Sequence, residues 1–183
     1  MLNRMIVYGI AAGLVVGSVF FGFAMSGALV HGAAGMAIGY LTMLVALSLV
    51  FVAVKRHRDT ELGGVIRFWP AFGLGLGISL VASLVYALAW EVTLAANGGA
   101  EAFVDQYLAS ERARGASAEA LAEMEGFRAI YANPVLRMSV TFAEIFPVGL
   151  IVSLLSAALL RNARFMPARR MAPQGAEAGA LRP

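Results

Sequence analysis

The 183-residue chain has no cysteine, two histidines (His31 and His57) and a single lysine, Lys55. The missing thiols exclude disulfides, thiolate metal centres and a cysteine nucleophile together. Two imidazoles without a known ligand spacing do not suggest a zinc site, and no metal or cofactor is expected. Charge is scarce as well. Charged residues make up 14% of the chain and hydrophobic ones 60%, where a soluble domain carries about 25% charged and about 45–50% apolar residues. From Met5 to Val54 there is no Asp, Glu, Lys or Arg, so that stretch cannot build a water-soluble surface. Intrinsic disorder is excluded by the same numbers, because it requires low hydrophobicity and high net charge. What the chain does have is long apolar runs, twenty glycines and thirteen arginines.

A spanning helix needs about 20 predominantly apolar residues. Four segments meet this, at about residues 5–28, 36–54, 70–95 and 135–160. They predict an all-α integral membrane four-helix bundle, one domain over residues 1–160, followed by a basic tail at 161–183. Ser26, Gly27, His31, Gly32 and Gly35 read as a short turn between the first two spans. Pro70 suits the first helical position of the third, where its missing N–H has no partner to lose. Asn133-Pro134 is a turn signal before the fourth.

Basic residues flank the spans asymmetrically. Arg4, the Lys55–Arg67 loop and the segment from Arg161 onward hold ten of the fourteen Lys and Arg residues, whereas Arg112, Arg114 and Arg128 share the loop between spans three and four with six acids. The positive-inside rule then places both termini in the cytoplasm and residues 97–133 outside. The net charge of +3 is thereby a topology signal, and nucleic acid is not an expected partner. A cleaved signal peptide ending near Ala28 is a competing reading of the first run, but that run exceeds the usual apolar core of 7 to 15 residues.

Residues 97–133 read as a helical hairpin broken at Gly115, with Phe103, Tyr107 and Leu108 striping the first helix. Ser117 caps the second, on which Leu121, Met124, Phe127 or Arg128, and Tyr131 recur at helical spacing. This hairpin is expected to pack on the span ends or on lipid, and to be the face for an extracytoplasmic protein partner or a homodimer. On the inner side, the run Lys55-Arg-His-Arg58 is expected to meet anionic headgroups. Val65, Ile66, Phe68 and Trp69 are expected to dip into the interface. The tail after Arg161 is expected to be mobile.

Small residues recur four apart: Gly9, Gly13 and Gly17; Gly35 and Gly39; Gly75, Ser79, Ser83 and Ala87; Gly149, Ser153 and Ala157. Such ladders let helix backbones approach where lipid supplies no hydrophobic driving force. Gly73-x-Gly75-x-Gly77 lacks the strand and spacing of a phosphate loop.

The chemistry that remains is a polar cluster. The third ladder ends at Glu91, with Tyr86 and Trp90 near the same level. Arg137, Thr141 and Glu144 stand at i, i+4 and i+7 on one face of the fourth span, and Glu144 lies roughly 10 Å beyond Arg137 at about 1.5 Å per residue. Pro147 cannot donate to the Ala143 carbonyl, which predicts a kink and a freed oxygen beside Glu144. Arg137 is expected to pair with Glu91, Glu144 or both. Two functions compete: a helix-to-helix clasp, and a proton-linked carrier using a buried Glu144 with Glu91. No Ser or Thr comes with a recognisable base and orienting group, so enzymatic activity is not expected.

The chain also resembles a bacterial membrane-protein family known as domain of unknown function 4199. The resemblance is carried by Gly39-Tyr-Leu-Thr-Met43, by Arg58 with Gly63-Gly64 and Phe68, and by Tyr86 with Trp90. Its most specific parts are Asn133-Pro134, Thr141-Phe-x-Glu144-x-Phe-Pro-Val-Gly149 and Ser153-Leu-Leu-Ser-Ala157. It implies a compact four-span protein of unknown activity and assigns no catalytic residues. The expected function is therefore a non-enzymatic membrane component, structural or partner-binding, in contact with membrane lipid.

Overall fold

In the computed structural model, residues 1–26 and 32–168 are described, and they form seven helices. The four long ones are α1 (Leu2–Ser26), α2 (Gly32–Glu61), α3 (Phe68–Ala96) and α7 (Pro134–Leu160); between α3 and α7 lie α4 (Ala100–Ala113), α5 (Ala118–Gly126) and α6 (Arg128–Ala132). The fold is an all-α bundle without strands among the described residues. All four long helices are apolar and long enough to cross a membrane. Gly27, Ala28 and His31 fall outside the described residues, whereas Gly32 and Gly35, predicted in the turn after span one, belong to α2.

The ends of the helices follow local chemistry. Asn133 accepts hydrogen bonds from the backbone N–H of Val135 and Leu136, with Pro134 opening α7, so side chain and ring together satisfy orphan donors of the first turn. Ser117 accepts from Ala120 N–H at the start of α5. The second hairpin helix is not continuous: it is divided at Phe127 into α5 and α6. Helix α2 runs to Glu61, seven residues past its predicted end at Val54, and so carries the Lys55–Arg58 run on its last turns, where cations suit the helix dipole. Gly63 and Gly64 then turn the chain with φ of 61° and 91°, a region closed to most residues with a Cβ.

Two seams made of small residues hold the bundle. A Cβ built on Gly9 would stand 2.5 Å from Val81, one on Gly13 2.7 Å from the Ala82 carbonyl, and one on Gly17 2.5 Å from Ala89. The glycine ladder of α1 thus lies directly against α3. On the other side of α3, Gly149 faces Ser79 and Gly75 faces Ser153, and the two serine hydroxyls share a hydrogen bond of 3.1 Å. Of the remaining predicted packing positions, Ser83 and Ala157 are buried and Gly39 approaches Phe20. Gly35 lines a cavity described below.

Large side chains point away from these seams. Leu44, Val45, Leu84, Leu88, Val92, Val140, Ile151 and Leu155 are all exposed, forming an apolar surface far beyond what a soluble monomer carries. In lipid that surface has no desolvation cost, and the chain is a multi-pass membrane protein.

The start of α1, the end of α2 and the chain after α7 meet at one end of the bundle. Arg4 pairs with Glu61, and Arg58 reaches the backbone beyond α7. The expectation that Arg58 faces lipid headgroups is corrected here. Its side chain is fully buried; Nη1 donates to the Phe165 carbonyl at 2.9 Å, Nη2 to that of Met166 at 2.5 Å, and Nε to Asp59 at 2.7 Å. Residues 162–168 are accordingly held against the bundle, with Phe165 edge-on to Phe51. Residues 169–183 lie outside the described ones. Of the four residues expected at the interface, Trp69 and Val65 are exposed whereas Ile66 is buried.

Candidate functional site

At the opposite end, α4, α5 and α6 lie over the ends of the long helices. The packing of α2 explains the space beneath them. Its half nearer Glu61 buries Met43, Ala46, Leu47, Val50, Ala53 and Val54, but from Ala34 to Thr42 only Gly39 is buried. What α2 leaves unfilled is a cavity of about 880 Å³ to which all seven helices contribute.

Its wall is aromatic. Phe20 of α1 meets Tyr86 of α3 with ring centroids 5.8 Å apart. One turn further along α3, Trp90 packs edge-on to Phe103 of α4 at 5.3 Å, and Phe103 stacks on Tyr131 of α6 at 6.0 Å. Two groups of rings, Phe20–Tyr86 and Trp90–Phe103–Tyr131, thus stand one turn apart on α3 between the bundle and its cover. Tyr40, Tyr107 and Phe127 complete the aromatic lining, and Glu123 and Glu144 are its two charged residues.

Arg137 joins the cover to the bundle beside this cavity. The side chain is 10% exposed. Nε donates to Glu91 Oε1 at 2.7 Å and Nη2 to Oε2 at 2.5 Å, the parallel two-pronged geometry that suits guanidinium and carboxylate. Nη1 donates to the backbone carbonyl of Tyr131. One guanidinium thus ties α7 to α3 and to α6.

The predicted polar track along α7 is divided. Arg137 meets Glu91 and not Glu144. Thr141 is buried, and its hydroxyl donates to the Arg137 carbonyl one turn back at 3.0 Å, so it bonds its own helix rather than bridging the charges. Glu144 lines the cavity, its surface open to that space, and has no hydrogen bond or ion pair among the described residues. Pro147 lies within α7, which continues through it to Leu160.

Outside the spans, burial pushes the Tyr131 phenol above its ordinary range, and the neighbouring Glu144 charge acts in the same direction. Tyr107 is raised by burial, with a smaller contribution from Glu111. Arg128 donates to Glu125 at 2.6 Å and Asp105 at 2.8 Å, linking all three cover helices. Sequence spacing assigned Arg128 only to an apolar stripe. Its i−3 relation to Glu125 was available as a signal, whereas Asp105 is 23 residues away and was not.

No curated protein and no solved structure matches the chain. Residues 7–162 match the family described as protein of unknown function, DUF4199. That match takes in all four long helices, the cover and the cavity between them, and the chain belongs to this family.

Proposed function

We propose that the protein is a non-enzymatic component of the bacterial inner membrane, with both termini in the cytoplasm and the α4–α6 cover outside, where the cover meets a partner protein or a second copy of the chain. The observation that carries this reading is the three-way tie made by Arg137. A charge placed near hydrocarbon is costly, and here it is spent on holding a surface domain to the spans rather than on a reacting group. Basic residues gathered at the other end support the orientation. The carrier reading loses one of its two acids, because Glu91 is committed to Arg137.

The absence of cysteine makes the orientation directly testable. Glu119→Cys, on the exposed face of α5, should react with an impermeant maleimide in intact cells, and Leu62→Cys, in the turn after α2, should react only after the membrane is opened. The reverse pattern overturns the topology. Proton flux through liposomes containing the protein, above that of empty ones and lost in Glu144→Gln, would replace the clasp with the carrier.

A further inference from the structure

We infer that the cavity under the α4–α6 cover is a binding site for a lipophilic organic cation: an amine, quaternary ammonium or phosphonium with an apolar body. A volume of about 880 Å³ falls in the range of sites for small organic molecules, about 300–1,000 Å³. Among the described residues, the lining contains two carboxylates, Glu123 and Glu144, and no Lys or Arg. Arg137 does not line the cavity, and its guanidinium is held by Glu91 and the Tyr131 carbonyl. A phosphate or carboxylate headgroup would therefore meet only like charge.

A cation is recognised twice over. Glu144 lines the cavity without a hydrogen-bond or ion-pair partner among the described residues and supplies the counter-charge; Tyr86, Trp90 and Tyr131 line the same cavity, and aromatic rings attract cations electrostatically within about 6 Å. Two acids among apolar walls offer too few oxygens for a hard metal ion, which takes six or more. Met36, Met43 and Met124 complete the apolar lining, and methionine adapts its shape to an irregular guest. Glu123 is exposed on α5, so one acid sits on the cover and the other about ten residues into α7. An amphiphilic cation partitioning into the headgroup region would meet Glu123 first and Glu144 last.

The test uses tetraphenylphosphonium and its near-isosteric anion, tetraphenylborate, with the full-length protein in lipid nanodiscs. The native chain should bind the cation saturably, at one site per chain, and the anion at least about tenfold more weakly. Glu144→Gln should weaken cation binding about tenfold or more without a matching effect on the anion, and Glu123→Gln should do so by a smaller factor. Comparing the two probes on the native chain requires no variant to fold. Equal binding of both ions, no saturable binding of the cation, or unchanged cation binding in Glu144→Gln would each overturn the assignment. So would a co-purifying phospholipid that mass spectrometry finds bound and that the cation does not displace, since that would make the cavity a lipid site.

Discussion

Arg137 of α7 grips Glu91 of α3 with two parallel hydrogen bonds of 2.7 and 2.5 Å, while Glu144, seven residues along the same helix, is left to face the cavity. The two acids therefore have different duties. One neutralises a guanidinium that fastens the cover, and the other is an unpaired carboxylate within an aromatic wall.

Breaking the pair from either side should destabilise the protein. Arg137→Gln and Glu91→Gln are each expected to cost about 2 kcal/mol, between the small value of surface pairs and the 3–5 kcal/mol of fully buried ones, because Glu91 keeps part of its surface open. The double substitution should recover part of the loss, since it leaves no carboxylate or guanidinium alone. Thermal unfolding in mild detergent measures all three, and strictly additive losses would refute direct coupling.

The α1–α3 seam should tolerate no added methyl. Gly13→Ala places a Cβ 2.7 Å from the Ala82 carbonyl, a backbone atom that cannot swing aside, and is expected to cost about 1–3 kcal/mol. Gly22→Ala, in the same helix with nothing within 4 Å, should be neutral or stabilise by about 0.5–1 kcal/mol through helix propensity. The same unfolding assay compares them.

Arg58 should be irreplaceable by lysine. Its planar fork serves two carbonyls and Asp59 at once, a geometry that an ammonium does not reproduce. Arg58→Lys and Arg58→Gln should both lower the melting temperature and expose residues 162–168 to proteolysis. A digestion pattern unchanged from the native chain would show that those residues are held by other contacts, such as Phe165 on Phe51.

Tyrosine ionisation should be late. With its phenol raised above the ordinary value of 10.0, Tyr131 keeps its proton in the folded protein at pH values where the unfolded chain has begun to lose it. The stabilisation is thus fully present below pH 10 and is lost as pH rises through the folded-state value. Ultraviolet titration of tyrosinate should show a late step that Tyr131→Phe removes, and the substituted chain should lose less stability above pH 10.

Arg128 should govern the order of the cover alone. Because it bridges α6 to Asp105 of α4 and Glu125 of α5, Arg128→Ala is expected to speed amide hydrogen exchange in residues 100–132 and leave α1, α2 and α3 unchanged. As a surface network it should weaken at high salt, so native exchange in the cover should rise with ionic strength.

Sequence alone was sufficient for whatever depends on distance along one helix. Hydrocarbon thickness sets how long an apolar run must be, so four spans were legible from composition. Cap chemistry is local, so Ser117 and Asn133 were legible as helix starts. The ladder Gly9, Gly13 and Gly17 was legible as a seam, though not which helix it faces. Tertiary structure decided the rest. Arg137 could reach Glu91 or Glu144 by depth, and the choice depended on how α3 and α7 are rotated about their axes. Arg58 looked like a lipid anchor until the chain beyond α7 folded back onto it. The cavity was invisible in the sequence because it is made by one half of α2 failing to pack, and a gap between helices has no periodicity along the chain.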